Sequence, residues 1–195
     1  MSEPPPNSIH PLTRDEWRAW LEGNHTRAEG IWLISYKKAA GKPTLPYEAA
    51  VEEALCFGWI DGQAKTLDDK RAMLWYAPRK MGSGWARTNK ERVERLIAEG
   101  RMAPAGLAKV EAAKADGSWT LLDAVENLEV PDDLTREFDR YPDARAHWEA
   151  FPRSAKRAIL VWIVQAKRPE TRAKRVEETA RLAQKNVQAN QWRPK

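Results

Sequence analysis

The glycine distribution constrains this chain more than any other feature: all ten glycines lie between Gly23 and Gly117, and the last 78 of the 195 residues contain none. Glycine is the default residue wherever a backbone must turn tightly or bulge. A stretch without it, punctuated by prolines at 131, 142, 152 and 169, reads as a succession of helices, because proline is tolerated in a first helical turn. The part beyond Gly117 is therefore expected to be almost wholly helical. Ala155, Ile159, Trp162, Ile163 and Ala166 form one apolar stripe, and Ala173, Val176, Ala180, Ala183 and Val187 form a second. Two antiparallel helices packed against each other follow from that pattern. The tail from Asn186 to Lys195 is expected to fray, with Trp192 placed to dock on the body.

The glycine-containing part reads differently. Residues 1–12, with Pro4, Pro5 and Pro6, form a loose leader. Thr13 and Glu16 have capping-box spacing, and Trp17, Trp20 and Leu21 recur at helical intervals, which predicts a helix over 13–28 ended by Gly30. Residues 31–36 are β-branched and aromatic and read as a buried strand, followed by Lys37, Lys38 and a loop to Pro46. A helix with Ala50, Val51, Ala54 and Leu55 on one face follows, stopped by Gly58. Residues 59–66 and 72–76 flank Asp68 and Asp69 and predict a β-hairpin. Thr88 and Glu91 open a helix that runs to Gly100, and another starts at Pro104. The fold class expected is α+β: a small antiparallel sheet with flanking helices over 13–117, all its strands within 31–77, then a C-terminal helical bundle over 118–195.

Composition removes several function classes. Hydrophobic residues make up 42% of the chain and ten tryptophans are present, enough apolar mass for a real core. The run 159–164 is far short of the ~20 residues of a membrane helix, and no secretory signal pattern opens the sequence, so a cytoplasmic protein is expected without a transmembrane segment. The single cysteine, Cys56, excludes an internal disulfide and a Cys-rich zinc site, and His10, His25 and His147 lack ligand spacing. There is no glycine-rich phosphate loop, no His-Glu-x-x-His and no Gly-x-Ser-x-Gly elbow. Neither a metal nor a cofactor is expected.

The most distinctive stretch is Cys56-Phe57-Gly58-Trp59-Ile60-Asp61-Gly62, followed by Trp75-Tyr76-Ala77-Pro78-Arg79-Lys80 and Ser83-Gly84-Trp85-Ala86-Arg87-Thr88-Asn89-Lys90. With Glu99-Gly100-Arg101-Met102 and the late Lys167-Arg168-Pro169-Glu170-Thr171-Arg172, it resembles the YdeI/OmpD-associated, or bacteriocin-protection, family over roughly residues 12–185. The resemblance implies protection against antibacterial peptides or envelope stress, and a C-terminal helical module. It implies no reaction, cofactor or catalytic residue.

Read physically, Asp61 beside Gly62 lies close to Arg79 across the hairpin. Walled by Trp59, Tyr76 and Trp85, such a pair suits a planar or small anionic ligand, through stacking and a bidentate ion pair; a structural salt bridge among packed aromatics is the alternative. Ser83, Trp85 and Asn89 lie in and after a two-glycine loop at a helix start, where backbone N–H groups can face an anion or where Ser83 or Thr88 merely caps the helix. Cys56 reads as an inert core thiol.

The net charge of +5 conceals blocks: −2 over 1–78, +5 over 79–114, −7 over 115–150 and +9 over 151–195. Arg153, Lys156, Arg157, Arg168, Arg172 and Arg175 either contact nucleic-acid phosphates or compensate the neighbouring acidic block. Three functions therefore stand: a protective protein binding an anionic partner; an enzyme acting on a small anionic substrate in a 59–89 cleft, with Asp61 as acid/base and Arg79 as clamp; and a nucleic-acid-binding protein acting through the basic helices.

Overall fold

The computed structural model describes residues 3–191. The chain divides into two compact units. The first holds the residues up to Ser83 together with Thr88–Trp119, and the second holds Gly84–Arg87 together with the residues from Thr120 onward.

In the first unit, helix α1 (Arg14–Asn24) is capped by Thr13, whose hydroxyl accepts from the Glu16 N–H, while the Glu16 carboxylate accepts from the Leu12 N–H at 2.7 Å. The helix stops four residues short of the expected end. His25 caps it, donating its N–H to the Leu21 carbonyl. Gly30 instead admits a neighbouring strand: a Cβ there would stand 2.3 Å from the Tyr76 carbonyl oxygen and 2.5 Å from the Trp75 ring.

Strand β1 (Ser8–Ile9) pairs parallel with β2 (Ile31–Tyr36), and β2 pairs antiparallel with β4 (Arg71–Pro78), which pairs antiparallel with β3 (Trp59–Thr66). The order is β1-β2-β4-β3. The α+β class stands, but the sheet is mixed and one strand lies outside 31–77. The physical reason is the open edge of β2, whose backbone groups need partners. Trp32 donates its N–H to the Asn7 carbonyl at 3.0 Å, and the Asn7 amide donates to the Gly30 carbonyl at 2.8 Å, which turns part of the leader into an edge strand. In the hairpin turn, Asp68 accepts from the N–H groups of Lys70 and Arg71 and binds the Arg71 guanidinium.

Helix α2 (Tyr47–Cys56) is buried from Ala49 to its end, and α1 lies beside it, with Trp17 fully buried and its indole N–H donating to the Ala50 carbonyl at 3.0 Å. Helices α3 (Arg87–Ala98) and α4 (Pro104–Ala115) follow. Gly58 and Gly100 end α2 and α3 at φ of +75° and +68°, a left-handed conformation that side chains rarely adopt.

The second unit is helical throughout its described residues: α5 (Asp123–Glu126), α6 (Asp132–Phe138), α7 (Ala144–Ala150), α8 (Arg153–Val164) and α9 (Pro169–Ala183). Its core gathers Leu134, Phe138, Trp148, Ile159, Ile163, Val176 and Ala180. Helices α8 and α9 meet, and α9 also packs on α6 and α7, so the unit is the helical bundle expected. Trp162, expected on the buried stripe of α8, is half-exposed beneath the Arg175 guanidinium, 5.0 Å from its ring. Trp192 lies outside the described residues.

Candidate ligand-binding site

The hairpin register sets Asp61 directly opposite Tyr76 and Trp59 opposite Pro78. Directly opposed residues of a strand pair project to the same face, so the Asp61 carboxylate and the Tyr76 ring share the face on which Trp17 lies, its ring edge-on to Tyr76 at 5.4 Å. Tyr76 is wholly buried and its hydroxyl has no hydrogen-bond partner. Burial, and secondarily the Asp61 charge, pushes the pKa of that hydroxyl far above its usual range, so it stays protonated. The chain continues the ladder past β4, with Arg79 donating its N–H to the Gly58 carbonyl at 2.9 Å.

Arg79 is only 5% exposed, and burial pulls its guanidinium down to about 10 against the opposing pull of Asp61. Its Nη2 donates to the Ser83 carbonyl at 3.2 Å. Tyr47, more than half exposed at the start of α2, donates its hydroxyl to the Asp61 carboxylate at 3.0 Å. Arg92 of α3 adds a cation whose field reaches Tyr47, Asp61 and Tyr76. It is held by two hydrogen bonds to Glu48, at 2.6 and 2.7 Å, and one to the Asn89 side-chain oxygen at 2.8 Å.

Of the residues singled out in the sequence, Asp61, Tyr76 and Arg79 thus form one electrostatic group, joined by Ser83 through its carbonyl and by Asn89 through Arg92. Trp59 is fully buried, donates its indole N–H to the His25 carbonyl at 3.0 Å and meets Trp20 edge-on, so it is part of the core under α1. Trp85 is 2% exposed and belongs to the second unit. The Arg79 guanidinium is buried and feels the Asp61 charge, and Tyr47 donates a hydrogen bond to the same carboxylate. Tyr47, Glu48 and Arg92 escaped the sequence reading because nothing in their local pattern distinguishes them from helix-surface residues.

A second cluster, which the sequence reading did not single out, lies on α2. Glu52 and Glu53 sit between apolar stretches of α2, residues 49–51 and 54–56, and both are buried. Glu52 accepts from Arg14 at 2.7 Å and from Arg95, and Glu53 accepts from Arg14 at 3.0 Å, Arg18 at 2.8 Å and Arg101. Burial alone would raise the Glu52 carboxyl, but hydrogen bonds from Arg95 and Arg14 outweigh it and hold the group below its usual range. Beside this clamp the Cys56 thiol is pushed up to about 11, first by burial and then by the Glu53 charge, which leaves it protonated and unreactive.

The basic helices of the second unit meet acidic residues of their own unit. Arg157 holds Glu126 through two hydrogen bonds, at 3.1 and 2.6 Å, and Arg172 holds Asp133 at 2.7 and 3.1 Å. Arg153 donates to the Glu126 carbonyl, Lys156 to the Glu149 carbonyl and Arg175 to the Trp162 carbonyl, while Arg168 is exposed. Among the described residues no group of three or more His, Cys, Asp or Glu side chains is arranged to hold a metal ion, and no helix is long and apolar enough to cross a membrane.

Residues 9–109 match the family described as a domain of unknown function (DUF8412), and residues 127–186 match the family described as Bacteriocin-protection, YdeI or OmpD-Associated. The resemblance drawn from the motifs is thus found over the second unit, whereas a different family covers the first. No curated protein and no solved structure matches the chain.

Proposed function

The chain belongs to the DUF8412 family and carries a YdeI/OmpD-associated module, and from that premise we propose that it is a cytoplasmic stress- or bacteriocin-protection protein that acts by binding a small anionic ligand. The ligand site is the Asp61, Tyr76 and Arg79 group, flanked by Ser83 and Asn89. The observation that supports it best is the Tyr76 hydroxyl, fully buried, without a hydrogen-bond partner and beside Asp61. A buried group left unsatisfied costs roughly 1–3 kcal/mol, which a purely structural tyrosine would shed by becoming phenylalanine.

A carboxylate or phosphate reaching this group would accept from the Tyr76 hydroxyl and stabilise a guanidinium that burial disfavours. Binding without turnover fits an unreactive Cys56 and carboxylates already saturated by arginine.

Arg79→Ala cannot separate ligand binding from stability, because Arg79 is buried. Tyr76→Phe can. Thermal unfolding of the full chain with inorganic phosphate, acetate and citrate is expected to show stabilisation of the wild type by at least one of them. In Tyr76→Phe that stabilisation should vanish while the free protein holds or gains stability. A wild type indifferent to every anion, with a more stable Tyr76→Phe, would overturn the proposal.

A further inference from the structure

We propose that the sheet face opposite Trp17 binds single-stranded nucleic acid, stacking bases on Trp32, Trp75 and Tyr36 and holding phosphates with Lys42 and Lys65. The register places Trp32 directly opposite Trp75 and Tyr36 opposite Arg71, all on the face away from Ile31 and Tyr76. The two indoles meet edge-on at 5.1 Å, and all three rings are half-exposed. Two glycines make the platform: Gly30 has room for no side chain against the Trp75 ring, and Gly62 sits 3.6 Å from the same ring measured at its Cβ position.

Each outer ring carries a cation. Lys65 Nζ is 5.0 Å from the Trp32 ring and Lys42 Nζ is 5.1 Å from the Tyr36 ring, and both lysines are exposed. A lysine that rests on a ring can swing to a phosphate as a base takes its place on the π-face, so the same pairs offer stacking and charge together. The surroundings share the sign. A hydrogen bond from the Lys37 N–H to the Lys70 carbonyl brings Lys37, Lys38 and Lys70 to one end of this sheet, and of the two carboxylates there Asp68 is engaged by Arg71, leaving Asp69.

Trp32 and Tyr36 are four residues apart on one strand, about 13 Å, the reach of a few nucleotides. Duplex bases are stacked on each other and offer no free face, so the surface selects single strands. This site is separate from the Tyr76 group and does not depend on it.

The test is fluorescence anisotropy of the full chain with labelled 12-nucleotide oligouridylate, oligothymidylate, an abasic 12-mer and a duplex, at ~50 and ~200 mM salt. The base-containing single strands should bind at least about fivefold more tightly than the abasic strand and the duplex. Trp32→Leu and Trp75→Leu, checked for folding by circular dichroism, should each weaken binding about fivefold or more. The exposed double substitution Lys42→Gln, Lys65→Gln should lower the salt slope by about 1.4 without unfolding the chain. The proposal is overturned by the absence of binding at ~50 mM salt, by equal affinity for the abasic strand, or by an unchanged slope in the lysine variant. Loss of binding in Lys167→Gln, Arg168→Gln with the sheet variants unaffected would also overturn it, as would binding to anionic phosphatidylglycerol vesicles alone.

Discussion

Gly106 and Cys56 touch backbone to backbone: a Cβ placed on Gly106 would stand 2.2 Å from the Cys56 carbonyl oxygen, while the Ala103 N–H donates to that same oxygen at 3.0 Å. Helix α4 can approach the end of α2 only because no side chain intervenes. Gly106→Ala must therefore move backbone, not a flexible side chain, and is expected to destabilise by about 1–3 kcal/mol or more. Gly23, in α1 with nothing within 4 Å of its Cβ position, should behave oppositely, Gly23→Ala adding up to about 1 kcal/mol. Urea unfolding of the two variants checks both signs.

The arginine clamp on α2 should separate buried from exposed charge. Glu53 has a 1% exposed side chain and three arginine partners, so Glu53→Ala leaves cations without their carboxylate and should cost about 3–5 kcal/mol. Glu48 is 52% exposed and pairs with Arg92, and Glu48→Ala should cost no more than about 1 kcal/mol. Equal losses in chemical denaturation would show that the clamp contributes nothing beyond a surface pair.

Acid should weaken the protein through the carboxylates that arginine holds. Hydrogen bonds from Arg157 keep Glu126 below its usual range; Asp133 and Glu52, which burial alone would raise, are held down by Arg172 and by Arg95 with Arg14. Each binds a proton less readily folded than unfolded. The stability they contribute is fully present above the unfolded carboxylate values near 4 and is lost as pH falls through the lower folded ones. The urea midpoint should hold steady down to about pH 5 and then fall, and Arg172→Gln should fall less steeply than the wild type.

Cys56 should be silent to alkylation in the native state. With its thiol pushed up to about 11 and buried, iodoacetamide at about pH 8 should leave it unmodified for hours, while the same reagent in denaturant labels it fully. Rapid native labelling, read by intact mass, would contradict both the burial and the protonation.

The alternation of helix and strand was readable because it rests on short windows of sequence. The apolar spacing of residues 31–36 predicts a strand, and Ile31–Tyr36 is one; the glycine-free part beyond Gly117 predicts helices, and its described residues form them without a strand. The hairpin was equally legible, since a turn at Asp68 sets the register of the residues next to it, but the meeting of Asp61 and Tyr76 was not: a register shift between Asp61 and Ala64 brings Asp61, in place of Gly62, opposite Tyr76. Periodicity and turn chemistry are local, so one chain segment carries them alone.

What neighbours each side chain was decided by the tertiary structure. Ser8 and Ile9 became a strand because β2 offered unpaired backbone groups, not because of their own propensity. Tyr47 reaches the Asp61 carboxylate because α2 delivers its hydroxyl to 3.0 Å from a residue 14 positions away in sequence. Glu52 and Glu53 are tolerated inside a helix of buried residues only because α1, α3 and the segment after α3 bring four guanidiniums to them. Burial and charge partnership depend on which distant elements converge, and that follows from the packing of the whole unit rather than from any window of the sequence.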